Sequence, residues 1–278
     1  MNKPPLPLTD RDALKRHRAR VQEDAMFLHH AAIDDVQDRL SEVNKSFSDI
    51  AIVTGQPALW AAAFPDAKLI ADDDTLDLQV DAHDLVIHAM ALHWANDPVG
   101  QLIQCRRALR PDGLLMVHSF GGQTLQELRI ALATAESKLR GGLSPRVAPM
   151  AEIRDLGALL QRAGLALPVA DAMTLTATYE SLPKLMHDLR HMGEANALAA
   201  RPRSFAPKAL FTAAATSYAS EFALPDGRLP ATFELICLTG WAPDESQQKP
   251  LRPGSATARL ADALNTAERP LPDAAGKG

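Results

Sequence analysis

The sequence predicts an α/β protein with a mostly parallel sheet and an antiparallel pair of strands near its C-terminal end. Two observations carry this prediction. In the first half of the chain, short runs rich in Val, Ile and Leu alternate with helical patterns, which is typical of a doubly wound parallel sheet. In the second half, two further strand patterns are separated by helical segments, which favours an antiparallel pair at one edge of the sheet.

The N-terminal part predicts helix. Thr9 is the predicted N-cap, because apolar residues such as Leu14, Val21 and Leu28 then recur at roughly helical spacing up to Leu40. The early basic cluster is interpreted as a solvated helix face, with an anionic partner or a lipid surface as the alternative. The cluster comprises Lys15, Arg16, His17, Arg18 and Arg20.

The first half then predicts four strands with helices between them. Pro57 suits the first turn of a helix, where its missing N–H has no partner. The predicted strands are "SDIAIVTG", "AKLIADDD", "HDLVIHAMAL" and "LLMVHSF". The predicted helices are "QPALWAAAFPD", "PVGQLIQCRRALRPDG" and "TLQELRIALATAESKLR".

The second half predicts three helices and the two late strands. The helices are "MAEIRDLGALLQRAGL", "LPKLMHDLRHMGEANALAA" and "PKALFTAAATSYASEFA", and the strands are "VADAMTLTATYES" and "PATFELICLTGWAP". The rest is polar and rich in Pro and Gly, which predicts partial disorder. We therefore expect an N-terminal helical segment over 1–45, a main domain over 46–243 and a tail over 244–278.

Composition excludes several classes of protein. The chain has 278 residues and a formal net charge of −5, which gives no electrostatic case for nucleic acid. It lacks both an apolar run of about 18 residues and a signal-peptide core, so no membrane span or secretion signal is expected. Cys105 and Cys237 form no disulfide framework, so we expect small core residues and a cytoplasmic location. Nothing indicates the oligomeric state.

The stretch "DLVIHAMALHWANDP" begins as a buried strand and runs directly into His93 and Trp94. The exits of parallel strands are where α/β proteins place ligands. His93 and Trp94 are therefore candidates for a pocket. The alternative is that His93 caps a loop carbonyl while Trp94 packs on the next helix.

Five segments together carry a family resemblance: "DLVIHAMALHWANDP", "RRALRPDGLLMVHSFGGQTLQELR", "GGLSPRVAPMAEIRDLGALLQRAGL", "DLRHMGEANAL" and "LPATFELICLTGWAPDESQQKP". The chain resembles class I S-adenosylmethionine-dependent methyltransferases. It is similar to the subgroup with the malonyl-carrier-protein methyltransferase of biotin synthesis and the assembly factor of mitochondrial complex I, and most similar to the assembly-factor branch. The resemblance implies a Rossmann-like sheet of seven strands with a C-terminal β-hairpin. It also implies an S-adenosylmethionine pocket at the strand ends.

The cofactor half departs from that family in two ways. The Gly-x-Gly-x-Gly turn expected after the first strand is reduced to Gly55 in "IVTGQPALW", where Thr54 offers only a hydroxyl. The chain between Gly55 and Asp84 is also about one βα unit too short. If the unit with the ribose acid is missing, Asp72 takes the adenine-side position. If a later strand is missing, Asp72 or Asp73 is the ribose acid. The alternative to both is a solvated acidic loop. Losing the acid would remove hydrogen bonds worth about 1.5–3 kcal/mol each, so S-adenosylmethionine binding is expected to be weakened.

The resemblance also places residues around the pocket. Gln123, Arg146 and Tyr179 are predicted to contact a substrate or partner, as is Trp94; surface or sheet-edge positions are the alternative. His187 and His191 lie four residues apart on a helix, but no third ligand is indicated and no metal is expected. The cofactor contacts implied are Thr54, Gly55, Asp72, Asp73, Ala89, Met90 and His93.

Two functions follow. The first is an S-adenosylmethionine-dependent methyltransferase-like enzyme that modifies a protein or a small acid; the branch it resembles includes a protein arginine hydroxylase. The alternative is a non-catalytic assembly or scaffold factor of the respiratory complex I type that has lost the cofactor. A protein partner or protein substrate is expected in both cases.

Overall fold

The computed structural model describes residues 7–248 and 260–267. The described residues up to Asp244 form one compact unit, and those from Glu245 onward, with the short helix α9 (Leu260–Ala263), belong to a second. Most of the predicted tail therefore lies outside the described residues. None of the helices in the described ranges is long and apolar enough to cross a membrane.

The first unit is built on a six-stranded sheet in the order β2-β1-β3-β4-β6-β5. The pairs β1–β2, β1–β3 and β3–β4 are parallel, whereas β6 is antiparallel to both β4 and β5. This confirms the predicted fold, although helices α7 (Leu182–His191) and α8 (Lys208–Phe222) separate β5 from β6, so the two strands form no hairpin. The strands are β1 (Ile50–Thr54), β2 (Lys68–Ala71), β3 (His83–Ala89), β4 (Leu109–Phe120), β5 (Ala166–Tyr179) and β6 (Leu229–Trp241).

The shortened part of the chain lies at the β2 edge of the sheet. The described residues form six strands where the resemblance implies seven, and β2 pairs directly with β1. The connection from β2 to β3, residues 72–82, contains no helix. Within the described residues, β2 is the edge strand of the sheet. The acidic loop that follows β2 therefore lies at the same end of the sheet as the ends of β1 and β3.

Helices cover both faces of the sheet. Along β3, Leu85 and Ile87 belong to a core with α2, α5, α7 and α8, whereas Val86 belongs to a second core with α4 and α6. This alternation is the two-residue period of a strand buried on both faces. The helices are α1 (Arg11–Arg18), α2 (Phe27–Glu42), α3 (Pro57–Ala63), α4 (Pro98–Ala108), α5 (Gln126–Arg140), α6 (Ile153–Arg162), α7 (Leu182–His191) and α8 (Lys208–Phe222).

The ends of two helices differ from the sequence prediction. Asp10, not Thr9, caps α1, because the side chain of Asp10 accepts the N–H of Ala13. The backbone N–H of Thr9 is donated to the side-chain oxygen of Asn96. Helix α7 ends at His191, before the predicted segment does, because Gly193 adopts a left-handed conformation with φ of 82°. This turn reverses the chain and brings the following residue, Glu194, back to the strand exits.

Candidate functional site

The strand exits form the candidate site, as in other α/β proteins. In register, Thr54 at the end of β1 lies beside Ala89 at the end of β3, which lies beside His118 of β4. Helix α1 crosses this edge of the sheet. Two neighbouring features make up the candidate site. We call them the Gly55 cleft, bounded by Gly55, Asp72 and Arg18, and the Trp94 cavity, described below.

The Gly55 cleft is filled by a side chain of α1. The guanidinium of Arg18 lies against Gly55 so closely that a Cβ on that residue would be 2.1 Å from Arg18 Cζ. The hydroxyl of Thr54 accepts the N–H of Gln56, and Pro57 begins α3 directly afterwards. The turn after β1 is therefore closed over by an arginine.

Asp72 is the centre of this arrangement. Its Oδ1 lies 2.7 Å from Nη1 of Arg18, and Arg11 donates to Oδ2 at 3.3 Å and to the backbone carbonyl at 2.6 Å. Burial alone would raise the pKa of Asp72, but the two guanidinium groups outweigh it and hold that pKa below its ordinary value. Both carboxylate oxygens are thus engaged. Asp73 is half exposed and pairs more loosely with Lys15 and Arg11, at 3.3 and 3.6 Å.

A buried network holds the loop that carries Asp72. Gln101 donates to the backbone carbonyls of Asp72 and Asp73, and its own carbonyl oxygen lies 2.8 Å from Nε2 of His88 on β3. Burial lowers the pKa of His88, so this histidine is neutral at pH 7. These hydrogen bonds hold the backbone of Asp72 in position.

Ala89 and Met90 are buried where β3 ends. Met90 has a φ of 51° and donates its N–H to the carbonyl of His118, which turns the chain sharply at the strand exit. A left-handed conformation in a residue other than glycine is uncommon and is enriched at functional positions. The turn leads into the segment with His93 and Trp94, where the ring centroid of His93 lies 4.7 Å from that of Phe120 at the end of β4.

The Trp94 cavity has a volume of about 310 Å³. Its lining comes mainly from β4, α5, α7, α8, β6 and the loops beside them. Its walls are mainly apolar, and include Trp94, Phe120, Leu128, Phe211 and Phe233. A volume of this size is at the small end of the range of roughly 300–1,000 Å³ for ligand pockets, which suits a side chain or small molecule.

Glu194 is the acidic group of this cavity. Its Oε2 accepts from Nε1 of Trp94 at 2.8 Å and lies 3.3 Å from Nε2 of His93. Burial raises the pKa of Glu194, but the more favourable interactions with His93, Arg18 and Trp94 bring it below its ordinary value, so Glu194 is a carboxylate. In the described part of the chain, Oε1 has no hydrogen-bond partner and remains free to accept.

Sequence reasoning missed Glu194. Trp94 and His93 lie about a hundred positions before it, and no local pattern links them. The signal that could have identified it is the Gly193 turn at the end of α7, which forces a change of chain direction.

The other predicted residues are spread around the cavity. Arg146 lines it, with its guanidinium held by Glu136 at 2.7 Å. Gln123 is exposed and donates its backbone N–H to Glu234, and Tyr179 donates its hydroxyl to Asp188 at 2.6 Å. Neither is among the residues that line the cavity.

One group of metal-ligand types was not anticipated. Atoms of Asp35, His118 and Cys237 lie within 4.8 Å of one another. Arg39 donates to the same oxygen of Asp35 that contacts His118, so a guanidinium already supplies the positive charge that a metal would bring. His187 and His191 have ring centroids 4.0 Å apart and belong to no such group among the described residues.

Comparison with known proteins gives the family. A model described as "Methyltransferase domain" matches residues 46–117. The mitochondrial arginine-hydroxylase NDUFAF5 of Dictyostelium discoideum is 41% identical over 184 residues, which are 66% of this chain and 42% of that protein. The malonyl-[acyl-carrier protein] O-methyltransferase of Laribacter hongkongensis is 34% identical over 188 residues, which are 68% of this chain and 61% of that protein.

These matches set limits. The chain spans less than two thirds of the length of either relative. A putative methyltransferase structure from Bacillus halodurans covers 76% of this chain and 99% of its own, with 14% identity and a TM-score of 0.49. That likeness is too distant to add to the sequence matches.

The comparison corrects the expected location. NDUFAF5 proteins from four vertebrates match as well, and all are named mitochondrial, as is the one from Dictyostelium. The cytoplasmic expectation was therefore wrong, because a low cysteine count indicates a reducing environment without identifying the compartment. Together, the sheet topology and these matches show a methyltransferase-fold protein, with NDUFAF5 and malonyl-[acyl-carrier protein] O-methyltransferase among its relatives.

Proposed function

We propose that this protein binds an arginine side chain of a protein partner in the Trp94 cavity and acts on it, as the name of the NDUFAF5 relatives indicates for those proteins. The observation that carries the proposal is Glu194: a carboxylate with one free oxygen in a mostly apolar cavity, whose lining also includes Arg146, Arg190 and Arg201. Such a group favours a cationic ligand over a neutral or anionic one.

The cavity walls suit a guanidinium in particular. A guanidinium is planar, binds carboxylates through two N–H groups and stacks on aromatic rings. Trp94 and Phe120 both line the cavity, and Trp94 is held in place by its bond to Glu194. Because burial strengthens a charge-assisted hydrogen bond, Glu194 is expected to supply most of the discrimination.

The residues of the Gly55 cleft do not fit S-adenosylmethionine in this arrangement. Homologues of the fold bind this cofactor, which supplies a methyl group when bound. Here Arg18 occupies the space against Gly55, and both oxygens of Asp72 accept from arginines. A ribose would find no free carboxylate there, so no step of a reaction is derived through the cofactor.

That same observation favours a second candidate function. An assembly or scaffold factor needs the partner-binding surface but not the cofactor. The Gly55 cleft is filled and the Trp94 cavity is open, as expected for a protein that keeps the partner site without the cofactor site. Both candidates share arginine binding in the cavity, and they differ only in whether the bound side chain is modified.

Replacing Glu194 by glutamine is expected to weaken binding of an arginine peptide about 10- to 100-fold, because a charge-assisted hydrogen bond contributes about 1.5–3 kcal/mol. The measurement is isothermal titration calorimetry with a short acetylated, amidated peptide that has arginine between alanines. The matched peptide carries citrulline, which has the same shape without the charge.

The control variant is Glu221→Gln, which removes an exposed carboxylate from α8. It should bind the arginine peptide as the unmodified protein does. Equal affinity for the arginine and citrulline peptides in the unmodified protein would contradict the proposal.

A second experiment separates an enzyme from a scaffold: mass spectrometry of the arginine peptide after incubation with the protein and S-adenosylmethionine.

A further inference from the structure

We infer that the arginine bound in the Trp94 cavity has an acidic residue next to it in the partner's chain, and that Arg190 of α7 binds the carboxylate of that residue. The inference rests on the proposed function, because it names a second feature of the same ligand. It begins from the charged side chains that line the cavity, which are three guanidinium groups and one carboxylate.

Two of the three guanidinium groups are already paired with carboxylates of this chain. The guanidinium of Arg146 lies 2.7 Å from Oε1 of Glu136, and that of Arg201 lies 2.8 Å from Oδ2 of Asp10. The side chains of both arginines are mostly buried, at 14% and 15% exposed. These two pairs belong to the folded structure and leave no charge for a ligand to compensate.

Arg190 is the third guanidinium, and its charge is not compensated. The residue is exposed, and in the part of the chain that the structure describes its side chain has no hydrogen-bond or ion-pair partner. It forms no ion pair even with Glu194, which follows four residues later and contacts His93 and Trp94 instead. An exposed arginine is ordinarily a solvated charge, but this one also lines the cavity that a cationic side chain would enter.

Helix α7 fixes the position of Arg190 on the cavity side. Met186 and Leu189, four residues and one residue earlier, line the same cavity. After the helix, the N–H of Gly193 is donated to the carbonyl of Arg190 at 3.2 Å, and the N–H of Glu194 to that of Leu189 at 2.9 Å. One short segment with a fixed backbone thus presents both a cation and an anion to the cavity.

This pair of charges selects the ligand. A guanidinium attracted to Glu194 is repelled by Arg190, and charges near a water-excluding wall are screened less than charges in bulk water. A carboxylate on a neighbouring residue of the ligand would pair with Arg190 and offset that repulsion. Arginine is suited to this contact, because its guanidinium binds a carboxylate through two N–H groups. The ligand class that satisfies both charges is a chain segment in which arginine is next to aspartate or glutamate.

The test compares four acetylated, amidated peptides by isothermal titration calorimetry: arginine or citrulline between two aspartates, and the same two residues between asparagines. The unmodified protein should bind the arginine peptide about 3- to 5-fold more tightly with aspartates than with asparagines, the upper range for an ion pair that stays partly in water. Arg190→Gln should lose this preference but still bind the arginine peptide with asparagines, which shows that the variant is folded. Arg190→Lys keeps the charge and should keep most of the preference.

The matched control is Arg162→Gln, which removes an exposed arginine from the last turn of α6, outside the cavity lining. It should keep the full preference for aspartates. The inference is overturned if the unmodified protein binds both arginine peptides equally, or if the preference persists in Arg190→Gln. A different comparison tests the proposed function: equal binding of arginine and citrulline between asparagines contradicts that function, whatever the aspartates do.

Discussion

Replacing Asp72 by alanine is expected to lower the free energy of unfolding by about 3–5 kcal/mol, the usual loss when one partner of a buried ion pair is removed. The carboxylate accepts from Arg18 and Arg11, whose side chains are 10% and 18% exposed. Without it, Arg18 is left with little water and no paired carboxylate, and Arg11 keeps only the longer contact with Asp73. Urea unfolding followed by circular dichroism measures the difference.

The neighbouring residue provides the control. Asp73 is 48% exposed, and its pairs with Lys15 and Arg11 are longer. Exposed pairs contribute about 0–1 kcal/mol, so Asp73→Ala should have little effect. If the two variants lose the same stability, the acidic loop is solvated and the ion pairs do not hold α1 in place.

Lowering the pH from 7.5 to 4.5 is expected to cost about 2–3 kcal/mol of stability through His29 alone. Burial lowers the pKa of His29 to about 4, and its Nδ1 accepts from Nε1 of Trp60 at 3.2 Å, which requires the neutral ring. In the unfolded chain this pKa is near its ordinary value of 6.5. The unfolded state therefore takes up a proton first, and stability falls as the pH drops below 6.5.

His29→Gln isolates this effect, because its side-chain oxygen can still accept from Trp60 but does not titrate. The variant should lose about 2–3 kcal/mol less than the unmodified protein over that pH interval in urea unfolding. Burial also lowers the pKa of His88, and that loss is common to both proteins. Parallel pH profiles for the two proteins would show that His29 is protonated in the folded state.

The elements of the fold were predictable because their signals are local. The alternation in β3 and the proline at the start of α3 are visible within a few residues. The antiparallel pair of β5 and β6 followed from their separation by helices. The strand order was not predicted, since hydrophobic periodicity does not say which strand lies beside which.

The site was predictable only in part. Trp94, Arg146 and His93 were identified as pocket candidates, and Trp94 and Arg146 do line the cavity. The filling of the Gly55 cleft was not predictable, because Arg18 reaches Asp72 across 54 positions. The basic cluster of α1 was interpreted as a solvated face, and the ion pairs that change this interpretation exist only in the folded chain.

The position of β6 has a consequence for synthesis of the protein on the ribosome. This strand lies between β4 and β5, yet it is the last of the six along the chain. Until Leu229–Trp241 emerges, the edge of β4 and the facing edge of β5 have no partner, although both strands were completed at least fifty residues earlier. Unpaired strand edges of this kind are prone to aggregation. The nascent chain is therefore most vulnerable, and most dependent on chaperones, just before its final strand becomes available.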